Sequence, residues 1–466
     1  MPLLNPFRCH CHSSSSLEAK RNDDALPLTN RGWHPPHWLA LAALMALLLS
    51  AQQAAAQQAP VQRTMTQQPA AAAVDTFRMI VDSSLQFDSN VFRLSPSIDP
   101  LAMTGHSTRS DRIVVSSASL KFDKSYSLQR FEANVSAVDN RYDTFNNLDF
   151  TAINYDGAWR WKLTPRLHGN LSGNHREVLN TFANMTGFAN STGKNLRIED
   201  RFRFDGVFEV DGAWRIVGGI AQDTFKNTRE FLQDTGAQTR SVDGGIRYAL
   251  PSGSSLTYKL KRGWGEFIGR PQPIASSLFD TRFNELEHEI HLIWPVSGKT
   301  SIDARAAHLA RKHEHFPQRD FSGFIGNFNL NWAISGKTRL TASWARTLAN
   351  FQTAAGNPNL SPGFQSFSSS YMATDRFSLE PVWQIDAKTA LRLRYDYSLI
   401  DFLGGVTATS FDARSDTMQS GLIALDWQPL NALSLSATLN HDRRSSNLTG
   451  FDFNRSAASV TARVTF

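Results

Sequence analysis

Trp294-Pro-Val-Ser-Gly-Lys-Thr-Ser-Ile302 decides the fold, because it returns as Trp332-Ala-Ile-Ser-Gly-Lys-Thr-Arg-Leu340 and again as Trp383-Gln-Ile-Asp-Ala-Lys-Thr-Ala-Leu391. Each copy is an aromatic, a tight polar turn, and the start of a run in which apolar and polar residues alternate. Looser copies are Trp427-Gln-Pro-Leu-Asn-Ala-Leu433, Trp161-Lys-Leu-Thr-Pro-Arg-Leu167 and Tyr248-Ala-Leu-Pro-Ser-Gly-Ser254. Phe208-Glu-Val-Asp-Gly-Ala-Trp214 and Phe122-Asp-Lys-Ser-Tyr-Ser-Leu128 complete the set. Recurrence of one short unit along a chain marks an architecture grown by repetition. The turn residues Ser-Gly, Asp-Gly and Pro-Ser-Gly supply the backbone freedom a hairpin needs.

The eight turns fall near residues 124, 164, 211, 252, 297, 336, 387 and 430. Every interval holds two strands of roughly 10–15 residues and one longer polar loop, the requirement of an outer-membrane hairpin. The runs alternate as such strands must. Leu391, Leu393, Tyr395, Tyr397 and Leu399 share one face, and Arg392, Arg394, Asp396 and Ser398 the other. Leu256, Tyr258 and Leu260 oppose Thr257, Lys259 and Lys261, and Leu433, Leu435, Ala437 and Leu439 oppose Ser434, Ser436, Thr438 and Asn440. Leucine on one face and charge on the other fits a sheet with lipid outside and water inside. A soluble sandwich or propeller would turn the polar face outward and has no reason to place an aromatic beside every second turn.

One strand before the first turn pair (77–88) and one after the last (453–466) bring the count to 18. The expected fold is therefore all-β: a transmembrane, antiparallel, up-and-down barrel of 16–18 strands, wide enough for an aqueous channel. Short turns and both termini belong on the periplasmic side, longer loops on the extracellular side. Ala458, Val460, Ala462, Val464 and Phe466 alternate with Ser459, Thr461, Arg463 and Thr465 to the last residue. A terminal aromatic on such a strand is read as the sorting signal that the barrel-assembly machinery takes up as an added edge strand.

Ahead of the barrel, Trp38–Leu49 is the only long apolar run, too short for a bilayer that takes about 20 residues. With Arg31 before it and Ala54-Ala55-Ala56 after it, residues 1–56 read as a signal peptide for the general secretory route, cleaved before Gln57. The stretch 1–37 is longer than an n-region requires, which points to a start downstream of Met1. Residues 57–74, rich in Gln, Ala and Pro, read as a disordered spacer, and 75–466 as the barrel. No segment at the spacer has room for a transporter's plug domain. Both cysteines, Cys9 and Cys11, lie in the leader, and the Cys9-His10-Cys11-His12 run is too crowded for one tetrahedral metal site.

Composition agrees. Mean hydropathy is −0.33, as bland as a barrel whose lipid and lumen faces average out. The 31 Phe, 11 Trp and 8 Tyr suffice for interfacial girdles. The net charge of +6 is scattered rather than clustered, which argues against nucleic acid and favours an anionic or neutral solute. No catalytic, cofactor or metal site is expected.

Several segments are similar to the EpsL-like outer-membrane proteins of exosortase-associated exopolysaccharide operons. They are Asp88-Ser-Asn-Val-Phe-Arg-Leu94, Leu148-Asp-Phe150, Asn154-Tyr-Asp-Gly-Ala-Trp-Arg-Trp161 and Pro251-Ser-Gly-Ser-Ser-Leu256. The similarity is densest over Glu287-His-Glu-Ile-His-Leu-Ile-Trp-Pro-Val-Ser-Gly-Lys-Thr300 and Arg319-Asp-Phe-Ser-Gly323, and extends over most of the chain from Asp75. The resemblance implies a barrel in a polysaccharide-export pathway, working with other export components.

Three functions follow for comparison. A polysaccharide conduit would use inward residues, for which alternation nominates Lys259, Lys261, Arg392, Arg394 and Arg463, balanced by Asp303, Asp396 and Asp426. A diffusion porin would fold one long loop inward as a constriction, and Ser89–Asp111, Gly265–Asp280 and Ala349–Gln365 are long enough. An outer-membrane enzyme would need a Ser or His with a polar partner. His288, His291, His308, His313 and His315 are the one histidine concentration, with His313 and His315 spaced for one side of a strand.

Overall fold

The computed structural model describes residues 76–185, 192–229, 236–276, 278–353, 361, 363–405 and 413–466. The signal peptide and spacer expected over 1–74 lie outside them. The described chain is one closed antiparallel sheet of eighteen strands, in which each strand pairs with its neighbours in sequence. They are β1 (Phe77–Asp88), β2 (Asp111–Tyr126), β3 (Gln129–Tyr142), β4 (Phe150–Thr164), β5 (Leu167–Leu179) and β6 (Leu196–Glu209). Next come β7 (Trp214–Asn227), β8 (Ala237–Ala249), β9 (Ser255–Phe267), β10 (Arg282–Ser297), β11 (Thr300–His313) and β12 (Phe321–Ala333). The last are β13 (Thr338–Thr353), β14 (Ser369–Gln384), β15 (Thr389–Leu403), β16 (Ser415–Trp427), β17 (Leu433–Ser446) and β18 (Phe453–Thr465). Among the described residues no helix is long and apolar enough to cross a membrane.

The ring closes where β1 pairs with β18, from Ile80 opposite Thr465 to Asp88 opposite Ala457. Phe466 extends the seam: its N–H donates to the Met79 carbonyl at 2.8 Å and its carbonyl accepts from Met79 N–H at 3.2 Å. Closure removes every sheet edge, which lipid could not satisfy.

All eight expected turns are present, with the first at residues 127–128, slightly beyond its expected place. Each turn is closed locally. Asp386 Oδ1 accepts from the N–H groups of Lys388 and Thr389 at 2.7 and 2.9 Å, and Asp211 Oδ1 from those of Ala213 and Trp214 at 2.8 and 2.7 Å. In Pro251-Ser-Gly253 the glycine has φ +86°, the left-handed region that a side chain disfavours. Trp294, Trp332, Trp383, Trp427 and Tyr248 stand exposed on the outer wall just before their turns, as a membrane-interface girdle requires.

Trp161 departs from that pattern. It is 7% exposed, because its ring lies flat over Gly169 and stacks on Phe204 at 5.6 Å. A Cβ at Gly169 would stand 2.5 Å from the Trp161 ring and 2.0 Å from the Asp205 carbonyl, so only glycine admits this approach.

The two faces separate cleanly. Leu393, Tyr395 and Leu399 on β15, Leu256, Tyr258 and Leu260 on β9, and Leu439 and Val460 on β17 and β18 are exposed on the outer wall. Registers align these faces between strands, with Leu393 opposite Ile423 and Ile423 opposite Leu439. In a soluble protein so much exposed leucine would be untenable; in a bilayer it is the lipid-facing band.

Candidate functional site

The five residues nominated for the lumen do not form one cluster. They occupy three sectors of the wall, and each stands beside a carboxylate. Lys259 is 2.8 Å from Glu289 and Lys261 is 3.9 Å from Glu287, with Arg305 bridging both glutamates. Arg392 is 3.3 Å from Asp426. Arg394 stands 2.9 Å from Asp396, close enough for an ion pair although its Nε–H is not aimed for a hydrogen bond. Arg463 pairs with Asp82 across the closing seam. Asp303, expected to balance cations, instead faces His291 at 3.0 Å. The inner wall at these positions is thus a mosaic of matched charges and not a bare cationic track. That weakens the preference for an anionic solute suggested by net charge alone.

The mouth opposite the short turns is built differently. Its loops fold inward and bury an apolar layer. Val91, Phe92, Leu94 and Ile98 from the β1–β2 segment pack with Phe145 and Leu148 from β3–β4 and Leu179 and Phe182 from β5–β6. A second cluster joins Phe351, Phe367, Ile400, Phe402, Leu448 and Phe451. Phe364 packs against both clusters and links them. Within the first loop a short helix α1 (Pro100–Thr104) is capped by Asp99, whose carboxylate accepts from Leu101 and Ala102 N–H, and ends on Gly105 at φ +77°.

Buried arginines staple these loops to the wall. Arg93 Nη1 is 3.1 Å from Asp88. Arg319 donates to the carbonyls of Leu278 and Ser369 at 2.7 and 3.0 Å and to Ser370 Oγ at 2.8 Å. Arg414 pairs with Asp416 at 2.7 Å and lies 3.9 Å over the Phe451 ring. Burial, and for Arg270 also the neighbouring Arg319 charge, pulls Arg270 and Arg319 down to about 10, which still leaves both charged at neutral pH. Arginine suits this work because one planar fork satisfies several carbonyls while its face covers an aromatic ring.

One residue ties distant parts of the mouth together. After β5 the chain forms a single helical turn, α2 (Phe182–Met185), and its Asn184 meets β14 and β17, nine and six strands round the ring from β5. Asn184 Nδ2 donates to Met372 Sδ on β14 at 3.4 Å. Arg444 on β17 donates to Asn184 Oδ1 at 3.0 Å, to the Ala183 carbonyl, and to the Phe451 carbonyl at 2.7 Å. Thr192 Oγ1, further along the same loop, donates to the Met103 carbonyl of the first loop at 3.3 Å.

Of the segments nominated as constrictions, Ser89–Asp111 packs at the mouth in the first cluster, against which Phe364 also packs, and Arg270 of Gly265–Asp280 donates to Gln352 on β13. Ala349–Gln365 falls partly outside the described residues (354–360 and 362), and its Phe364 is the link between the clusters. The stretch 180–184, which carries Asn184, was not nominated. The available signal was Phe182, Met185 and Phe188 at three-residue spacing in an otherwise polar loop, the stripe of a short helix that needs something to pack on.

The histidines do not assemble. His288 and His308 are on the outer wall, bonded to Tyr258 OH at 2.9 Å and Ser322 Oγ at 3.1 Å. β11 ends at His313, which is buried, whereas His315 lies beyond the strand with its Nδ1 2.9 Å from Asp280. The two therefore do not share a strand face. Among the described residues no group of three or more His, Cys, Asp or Glu is placed to hold a metal ion.

No family model matches the chain, and no curated protein matches it. Solved barrels do. OccK9 (OpdG) of Pseudomonas aeruginosa aligns at 12% identity over 84% of this chain and 99% of its own, with TM-score 0.46. OpdK of the same organism, solved with vanillate, aligns at 9% identity over 84% and 99%, TM-score 0.44. The siderophore receptor PirA, also from P. aeruginosa, aligns at 11% identity over 84% and 80%, TM-score 0.41. The likeness is one of barrel architecture.

Proposed function

We propose that this chain is an outer-membrane pore of the substrate-selective porin kind, constricted at its extracellular mouth by the β5–β6 segment. The observation that carries the reading is Asn184, held by Met372 on β14, half-way round the ring, and by Arg444 on β17, a third of the way round, inside a closed barrel with a charged inner face. A loop that crosses a water-filled barrel sets its narrowest section, and matched charges along the wall let polar solutes pass without holding ions of one sign.

Reconstitution in planar bilayers tests this. The expected wild-type record is a small conductance with a reversal potential near zero in a salt gradient. Arg444→Ala combined with Asn184→Ala should raise conductance several-fold, with the heat-modifiable barrel band unchanged. If neither protein conducts, the pore reading fails.

A second reading, passage of an exopolysaccharide, rests on the resemblance of Asp88–Leu94, Glu287–Thr300 and Arg319–Gly323 to the EpsL-like proteins. An extended sugar chain needs a continuous path, so this reading requires the Asn184 latch to be released during export. Deletion of the gene separates the two: loss of secreted polysaccharide with small-solute uptake intact favours export, and the reverse favours the porin.

A further inference from the structure

On the outer wall at the extracellular end, Arg240, Arg262, Arg282 and Lys312 form a patch across β8–β11. All four are exposed and none is in an ion pair among the described residues. The registers place them together. Arg240 is opposite Trp264, Arg262 is opposite Leu286, and Asn284 between them is opposite Lys312. Arg240 donates only to Gln222 at 3.2 Å, and the Arg262 guanidinium lies 5.7 Å over the Trp264 ring. Two carboxylates are nearby, Glu266 opposite Arg282 and Glu314 next along the chain, so the patch keeps a net positive charge.

The rest of the rim shows that this is not the general rule. Arg112 is 2.7 Å from Asp143, Arg141 is 2.8 Å from Asp139, and Arg346 is 2.6 Å from Asp375. Arg443 on β17 and Lys226 on β7 are also in no ion pair among the described residues, but each stands alone on its strand's outward face.

Depth supplies the second constraint. On three of the strands the cation lies beyond the last apolar outward residue: Arg240 beyond Val242, Arg282 beyond Leu286, and Lys312 beyond Ala310; on β9 Arg262 stands between Leu260 and the outermost Trp264, an interfacial aromatic. From Trp294 to Leu286 the outer band spans eight residues of β10, roughly 20 Å along the membrane normal for a strand tilted about 40°. The patch therefore sits where hydrocarbon gives way to headgroups. Across four strands it is roughly 14 Å wide, given about 4.8 Å between strands.

We infer that this patch seats the phosphorylated glycolipid of the outer leaflet, its phosphates on the four cations and its acyl chains on Val242, Leu260 and Leu286. Separated phosphates on one rigid sugar headgroup match several fixed cations better than a single phosphodiester does, and Trp264 gives the sugar a ring face to rest on. The inference rests on the outer-membrane reading above, since that leaflet alone carries such a lipid.

The test uses the folded full-length protein and rough-type lipopolysaccharide in detergent, with binding read by native mass spectrometry. Replacing all four cations with alanine should weaken binding tenfold or more, and should abolish most of its salt dependence. The Arg112→Ala, Arg141→Ala control should bind as wild type. Heat-modifiable migration checks that each variant is folded. If the quadruple variant binds as wild type, the site is refuted. If wild type binds phosphatidylglycerol nanodiscs as tightly as lipopolysaccharide, the glycolipid assignment is refuted. Membrane fractionation tests the parent reading separately: a protein found outside the outer membrane sinks that reading whatever it binds in detergent.

Discussion

The two ends of this barrel are held by interactions of very different reach. At the rim with short turns, closure is made within a few residues. Asp386 bonds N–H groups two and three residues on, as does Asp211, while Ser297 Oγ accepts from Lys299 N–H at 3.2 Å. At the mouth, beside local pairs such as Arg414 with Asp416, other partners are distant along the chain. Arg319 bonds residues 41 to 51 positions away, and Arg444 reaches a carbonyl 261 positions away. The first kind of contact forms whenever its own hairpin forms. The second exists only after the ring has closed and brought unrelated loops together. The difference predicts that the rim and wall set whether a barrel forms, and the mouth sets what passes through it.

The largest expected effect is on the wall that both ends depend on. Leu393 faces lipid at mid-height beside Ile423, so Leu393→Arg places a charge in hydrocarbon at a cost of roughly 2–4 kcal/mol. The adjacent Arg394→Leu removes an inner charge whose partner Asp396 keeps Arg376 at 2.9 Å. Heat-modifiable barrel in outer membranes should fall sharply for the first and stay level for the second. The opposite result would reverse the register of β15 and every face assignment tied to it.

Next in size is Phe466. Its backbone completes the seam with Met79 while its side chain is exposed at the rim. Phe466→Asp keeps the backbone bonds and removes the terminal aromatic, so assembly should fall several-fold while the protein that does assemble keeps wild-type conductance. Normal assembly would remove the sorting role from this residue.

A smaller effect should separate mouth from wall by pH. Burial raises the Asp280 carboxyl, but hydrogen bonds from His315 N–H at 2.6 Å, His315 Nδ1 and Thr281 N–H at 2.7 Å outweigh it and hold the group below the usual carboxylate range. Ionised Asp280 therefore contributes loop stability that is complete above about pH 4 and is lost as pH falls through its lowered value. Protease nicking of the 268–280 loop should rise on acidification below that point, with the barrel band intact. Asp280→Asn should nick more readily at neutral pH and lose the pH dependence.

The smallest effect belongs to a single turn. Asp386→Ala deletes two acceptor contacts in a fully exposed turn but leaves the hairpin registers of β14 and β15, so it should lower stability only slightly. A modest drop in the unfolding midpoint in urea, with no change in conductance, is the expected reading.

Much of this protein was legible in its residues. The copies at Trp294, Trp332 and Trp383 located their turns, and the Leu391–Leu399 alternation placed each of those side chains on its face. Both depend on nearest neighbours only: a hairpin turn and a period of two are local properties of the backbone. The partners of the lumen cations were less legible. Lys259 and Glu289 are thirty residues apart and meet because β9 and β10 share a register. Hairpin geometry could have paired them, whereas the Arg463–Asp82 pair needed the closing seam.

What sequence determined by itself was the number of strands, their faces and the aromatic rim. What only the tertiary structure decided was the fate of the loops: that Asn184 after β5 is met by Met372 and Arg444, and that four outward cations on β8–β11 gather outside any ion pair among the described residues. The physical reason is distance. Alternation is enforced by the two solvents on either side of each strand, but a loop's resting place is chosen by whatever the closed ring brings near it, six to nine strands away.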